Sequence, residues 1–319
     1  MKILISESNA FPPEAAALLR QVAEVELKDM DRPQLLGSVQ DTDVLWVRLR
    51  HQIDREVFAA APKLRVLASP TTGSTHIDLD EMTRRGVKLV SLRGEQSFLR
   101  DIRATAEHTL ALMLALVRHI PQAHQHVVAG GWDRDRFTGS ELYGKTIGIA
   151  GYGRLGHIVA RYLMALDATV LVHDREISIE DLGNGAEQVS LNELLERSDI
   201  VSVHINMTEA NRNFFNRDRF ARMKRGALFI NTARGEVVDE AALLDALNSG
   251  QVGGAALDVL ADERSTGMAD HPLVQYAAEH ANLILTPHIG GGTTESKAKT
   301  EVFLARKLSG LLKGLNAND

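Results

Sequence analysis

The sequence predicts an α/β protein made of two successive parallel-sheet units. Short apolar runs of strand length alternate with longer helical patterns along almost the whole chain, the signature of βαβ units. At 319 residues the chain exceeds one typical domain. A glycine-rich turn near its middle opens a second series of runs that repeats the alternation of the first.

The first series has four candidate strands, at residues 3–5, 44–47, 66–68 and 87–90, with helical stretches at 13–23 and 79–85 between them. A long pattern rich in Ala and Leu, from 102 to about 126, reads as one helix whose apolar face is buried scaffold. A turn around Gly130-Gly131-Trp132 follows. The second series then runs 146–150, 169–173, 199–204, 227–231, 254–257 and 283–286, the six-strand inventory of a dinucleotide-binding domain. A last helix, 295–313, has no strand partner nearby in sequence and is expected to cross back onto the first unit.

Composition narrows the class. Hydrophobic residues at 44% and charged residues at 24% are ordinary for a globular protein. A net charge of −6 argues against nucleic acid, whose phosphates demand a basic face. No apolar run approaches the roughly 18 residues of a membrane span, and the start, Met1 to Ser6, reads as a strand rather than a signal peptide. The absence of cysteine removes disulfides, thiolate catalysis and cysteine metal sites, and no metal is expected. It also fits a cytoplasmic protein.

Gly151, Gly153 and Gly156 form a G-x-G-x-x-G turn between a strand and a helix starting at Arg154. Gly151 permits the tight turn, Gly153 lets a pyrophosphate approach the backbone, and Gly156 lets the helix close on the sheet. The next strand ends at Asp174, where an acid accepts from adenosine ribose hydroxyls and repels a 2′-phosphate. The cofactor expected is therefore NAD rather than NADP, with Arg175 next door softening the preference.

Ligands of such sheets sit beyond the carboxyl ends of the strands. Arg234, Glu263 and His288 all follow predicted strand ends. Their chemistries are complementary: histidine exchanges a proton near neutral pH, arginine grips a carboxylate at two points, and a carboxylate beside histidine orients the ring. Spacing alone leaves plain alternatives open. Arg234 could cap a loop, Glu263 could be a solvated acid, and His288 could be a turn histidine.

The segments 231–239 (NTARGEVVD), 256–259 (ALDV) with Glu263, and 286–291 (TPHIGG), in that order, resemble the signatures of the D-isomer-specific 2-hydroxyacid dehydrogenases. Thr72-Gly73 with Ile77-Asp78, and Ala106-Glu107-His108, extend the likeness over nearly the whole chain. The resemblance implies two Rossmann- or flavodoxin-like lobes with the active site in a cleft between them. Residues 1–99 plus 290–319 would form the substrate-binding lobe and 100–289 the NAD-binding lobe, through which members usually dimerise. It implies that Arg234 binds the substrate carboxylate, Glu263 partners the histidine and His288 is the acid/base. Thr72, Arg154, Leu155, Asp174, Thr232 and Asp258 would touch the cofactor, Asp258 at its carboxamide end, and Thr72 and Gly73 would also meet the substrate. The activity implied is hydride transfer between nicotinamide and a small D-2-hydroxy acid or its 2-keto acid.

Arg48 resembles the arginine that phosphoglycerate-oxidising members place near the substrate phosphate, and would otherwise be a solvated strand-end arginine. With no regulatory domain expected after residue 319, such an enzyme would be a short form. Asn206 and Asp101 depart from common family residues and leave the substrate open. A catalytically idle, NAD-sensing corepressor-like protein is the main rival. A formate-type dehydrogenase would pair its histidine with glutamine, and Glu263 speaks against that.

Overall fold

A computed structural model describes residues 1–176, 185–263 and 267–316. The chain divides into two compact units, Met1–Ile102 with Thr293–Asp319, and Arg103–Gly292.

The first unit holds β1 (Lys2–Ile5), α1 (Pro13–Arg20), β2 (Glu24–Leu27), α2 (Arg32–Ser38), β3 (Val44–Trp46), α3 (Arg55–Ala60), β4 (Val66–Ser69), α4 (Leu79–Arg84), β5 (Lys88–Ser91) and α5 (Gln96–Leu99). Its five strands pair in the order β2-β1-β3-β4-β5, all parallel. Alternate residues feed opposite faces, as the pleat requires. Val44 and Trp46 enter one apolar cluster while Leu45 and Val47 enter the other. Both faces are covered, which is why the strands read as unbroken apolar runs. β2 was not anticipated. It is an edge strand whose charged and apolar residues alternate, Glu24-Val25-Glu26-Leu27, and Glu26 pairs with Lys2 of β1 at 2.9 Å. The last helix, α13 (Thr294–Asn316), belongs to this unit and packs Leu304, Ala305, Leu308 and Leu312 against Ile3, Ile5 and Leu19.

The second unit begins with α6 (Ala104–Val117) and α7 (Ile120–Val128). The sequence suggested one continuous helix here, and the structure breaks it. Pro121 has no N–H to give to the carbonyl of Val117. That carbonyl instead accepts from the Ser140 N–H at 2.9 Å, and His119 turns the chain at φ +53°. α6 is buried along its apolar face, whereas α7 buries no residue.

There follow β6 (Thr146–Ala150), α8 (Arg154–Met164), β7 (Thr169–His173), β8 (Glu187–Gln188), α9 (Leu191–Arg197), β9 (Ile200–Val203), α10 (Arg217–Arg222), β10 (Ala227–Asn231), α11 (Glu240–Asn248), β11 (Val252–Leu257), α12 (Pro272–Glu279) and β12 (Leu283–Leu285). The parallel sheet runs β12-β11-β10-β9-β6-β7-β8, with the short edge strand β8 added to the six expected. β6 and β9 are neighbours although β7 and β8 separate them in the chain. Strand order reverses between them, and a crevice at such a switch point is where these sheets take ligands. No described helix is long and apolar enough to cross a membrane.

Candidate active site

The turn after β6 sits at the switch point. Gly151 has φ +95°, and a side chain there would meet the His204 carbonyl at 2.6 Å, so the end of β9 packs directly on it. A Cβ on Gly156 would stand 2.1 Å from the Gly151 carbonyl oxygen, which is how closely α8 returns to the turn. Gly153 differs. Nothing lies within 4 Å of where its Cβ would be. It caps α8 without a side-chain hydrogen bond, and the helix has no acid in its first turn. A helix start with open space over it and no built-in acceptor suits a phosphate. Arg154 stands in that first turn. Burial, with the like charge of Arg103, pulls its guanidinium below its ordinary value, a penalty that an anion would relieve. Leu155 packs against the core beneath.

Asp174 follows β7. Its Oδ2 accepts the Tyr152 N–H at 2.8 Å and its Oδ1 the Glu176 N–H at 2.9 Å, so the carboxylate is aimed by backbone on both sides. Arg175 is turned to other work: Nη2 donates to Asn211 Oδ1 at 2.5 Å and the guanidinium lies 5.8 Å from the Phe214 ring centre. His204, just after β9, is half-buried, with the Ser202 hydroxyl 2.9 Å from Nε2 and Nδ1 shut away from solvent. Burial holds its pKa down to about 4, so the ring is neutral.

The three candidate catalytic residues follow the carboxyl ends of three adjacent strands, β10, β11 and β12. Arg234 sits on a turn fixed by Asn231, whose Oδ1 accepts the Ala233 N–H and whose Nδ2 donates to the Arg234 carbonyl, both at 2.9 Å. Gly235 is obligatory there. The chain bearing Glu263 crosses it so closely that a Cβ would lie 2.0 Å from the Leu260 carbonyl carbon. Arg234 Nη1 donates to the Ala233 carbonyl at 2.6 Å.

His288 occupies a left-handed backbone conformation at φ +53°, costly for a residue with a side chain unless its surroundings enforce it. Asp258, 1% exposed, enforces it. Its Oδ1 takes the Thr286 hydroxyl at 2.6 Å and the Ile289 N–H at 2.9 Å. Oδ2 takes the Gly290 N–H at 2.8 Å, and the Asp258 carbonyl takes the His288 N–H at 2.8 Å. His108 of α6 closes the network, with Nε2 3.2 Å from Asp258 Oδ1 and 3.0 Å from Thr286 Oγ1. So presented, His288 Nδ1 meets Glu263 Oε1 at 2.6 Å, each side chain 20% exposed. A carboxylate accepts from Nδ1–H and fixes that tautomer, which leaves Nε2 to exchange a proton with a ligand.

The remaining expected residues are placed as follows. Thr232 is buried and its hydroxyl shares a 2.7 Å hydrogen bond with Thr109 of α6. Thr72 and Gly73 belong to the first unit, on the loop after β4, with Thr72 exposed and the Gly73 carbonyl accepting from Thr71 Oγ1 at 2.8 Å. Arg48, also in the first unit, is not a solvated arginine. Its Nε donates to Glu301 of α13 at 2.5 Å and its Nη1 to the Asn9 carbonyl at 2.8 Å, and Glu301 is fully buried. Four residues that hold the site escaped attention as holders: Asn231, His108, Glu240 and His271. Asn231 and His108 lay in motifs, but nothing in their spacing gave a sign of the contacts they make.

Residues 110–290 match the model of the D-isomer specific 2-hydroxyacid dehydrogenase, NAD binding domain. The chain belongs to this family. A D-3-phosphoglycerate dehydrogenase of Mycobacterium bovis is 38% identical over 313 residues, 98% of this chain and 57% of that protein. This chain thus spans little more than half the length of that relative. A glyoxylate reductase of Thermofilum pendens is 38% identical, over 96% of this chain and 91% of that one. Among solved structures, the D-lactate dehydrogenase of Aquifex aeolicus complexed with NAD and lactic acid has a TM-score of 0.85 at 28% identity, covering 98% of this chain and 96% of that one.

Proposed function

We propose that the chain is an NAD-dependent oxidoreductase interconverting a small D-2-hydroxy acid and its 2-keto acid. The observation that carries the reading is the 2.6 Å pair of His288 Nδ1 and Glu263 Oε1 on loops beside the strand end that bears Arg234. Nicotinamide supplies or accepts the hydride when bound. The chain's own residues do the rest. The Arg234 guanidinium anchors the substrate carboxylate through its planar fork. His288 delivers a proton from Nε2 to the forming hydroxyl oxygen in reduction and removes it in oxidation, while Glu263 keeps the ring aligned. A protein that only sensed NAD would have no use for a histidine locked at an unfavourable backbone angle.

Gly153, the uncapped start of α8 and Asp174 fit a dinucleotide. The engagement of Arg175 with Asn211 favours NAD over NADP, since that cation is already committed. Arg48 would be the contact for a substrate phosphate, but Glu301 matches its charge, which favours acids without a second anionic group over 3-phosphoglycerate. A homodimer through the nucleotide-binding unit is supported by the apolar residues that α7 and the following segment leave uncovered, Ile120, Val127, Val128, Trp132 and Tyr143.

The test is kcat/KM for phosphorylated and unphosphorylated 2-keto acids with NADH and with NADPH, for wild type and Arg234→Lys. Reduction with NADH on at least one acid is expected, with Arg234→Lys lower by about 10²-fold or more, because an ammonium cannot reproduce a two-point grip. Equal activity of Arg234→Lys, or no turnover on any acid, overturns the reading.

A further inference from the structure

We propose that Glu240 and His271 form a second carboxylate–histidine pair whose task is to position Glu263 against His288. The proposal rests on the acid/base reading above and adds two positioning residues to it. Glu240 is the first residue of α11, and its Oε1 accepts the Ala261 N–H at 2.7 Å, two residues before Glu263. Its Oε2 lies 3.1 Å from His271 Nε2. His271 stands immediately before α12 and its Nδ1 accepts the Leu273 N–H at 3.2 Å, capping that helix. A ring nitrogen that accepts carries no proton, so the neutral ring must hold its hydrogen on Nε2 and give it to Glu240. The orientation of the pair is therefore fixed from α12 through His271 to Glu240 and on to the loop.

That loop is anchored at its start by Asp258 and by Leu260 in the core. Between the end of β11 and Glu263 it is pinned from below where Leu260 and Ala261 cross Gly235, and from the side by the Glu240 bond. Asp262 then turns the chain at φ +54°, a left-handed conformation that aspartate tolerates better than most residues. Glu263 emerges from that turn to meet His288. Removing the Glu240 bond frees one end of the turn and lets the carboxylate drift from the ring. Burial pushes the Glu240 carboxyl above its ordinary value, so the fold bears a cost to keep an acid here. A mere helix-start acid would sit in water.

Glu240→Ala and His271→Asn are the variants to make, each alone and with Glu263→Gln. Asparagine still caps a helix but is too short to reach Glu240, so it separates capping from pairing. The measurements are kcat and KM for keto-acid reduction and Kd for NADH by fluorescence. Glu240→Ala should lower kcat by about 10- to 100-fold, the scale of a small misplacement, with KM and NADH affinity within about twofold of wild type. His271→Asn should lower kcat in the same direction by a smaller factor. With Glu263→Gln already present, either change should cost less than about twofold more, because residues acting through one another are not additive. Equal losses in both backgrounds, or an unchanged kcat in a folded Glu240→Ala or His271→Asn variant, overturn the proposal. If Glu263→Gln by itself leaves kcat unchanged, the acid/base reading fails first, and that outcome is visible separately.

Discussion

The turn after β6 and the loops after β10, β11 and β12 are both strand-end sites of one sheet, yet they are built in opposite ways. The nucleotide turn is local. Gly151, Gly153 and Gly156 span six residues, and the steric demands on Gly151 and Gly156 arise within the turn and from the strands beside it. The loops that carry Arg234, Glu263 and His288 are assembled from afar. Asp258 holds residues 286–290 across some thirty positions, Glu240 reaches Ala261, and His108 comes from a helix 150 residues before Asp258. A site made of backbone shape is written in a few glycines, whereas a site made of side-chain geometry needs supports whose sequence neighbours do not reveal them.

Three measurements test whether the two regions are separable. The largest effect is expected from His288→Ala. Removing the proton carrier should lower kcat by about 10²- to 10⁴-fold in both directions, the usual weight of general acid–base catalysis. NADH should still bind with near-normal affinity, since the turn after β6 does not depend on that ring. Ordinary turnover in this variant would end the mechanism, and lost NADH binding would show that the two regions are not separable.

The converse variant is Gly151→Ala. A methyl group would enter a position 2.6 Å from the His204 carbonyl, at a φ of +95° that alanine rarely adopts. NADH affinity should fall by roughly tenfold or more and Tm by several degrees, as expected where a β-carbon is forced on a left-handed position. At saturating NADH, kcat should recover most of its value. A kcat that stays low at saturation would mean that the turn also shapes the acid/base loops.

The smallest effect concerns pH and stability. His204 is neutral, desolvation of its ring holding the pKa down to about 4 against an ordinary value of 6.5. The unfolded chain therefore binds a proton that the folded chain refuses between these values. The stability tied to this residue is whole above pH 6.5 and is lost as pH falls towards 4. His204→Gln, which keeps a polar group beside Ser202 but cannot titrate, should show a flatter fall of Tm between pH 6.5 and 4.5. Parallel curves for the two proteins would show that another group governs the acid limb.

The parallel α/β class and the dinucleotide turn were legible in the sequence alone, and its motifs singled out Arg234, Glu263 and His288 as candidates. Apolar runs buried on both faces of a sheet, and glycines demanded by a close approach, act over a few residues and leave their mark in order. The sequence did not disclose β2, whose half-charged alternation is that of an edge, nor the break at His119, where a single proline outweighed a long run of good helix formers. What holds the three residues in place emerged with the folded chain. The left-handed turn at His288, the crossing over Gly235 and the Glu240–His271 pair depend on bonds between segments far apart in sequence, and Arg48 changed from a strand-end cation to half of a buried ion pair only once α13 had folded back onto its sheet. Contacts of that range form only when the chain has condensed, so no local pattern could announce them.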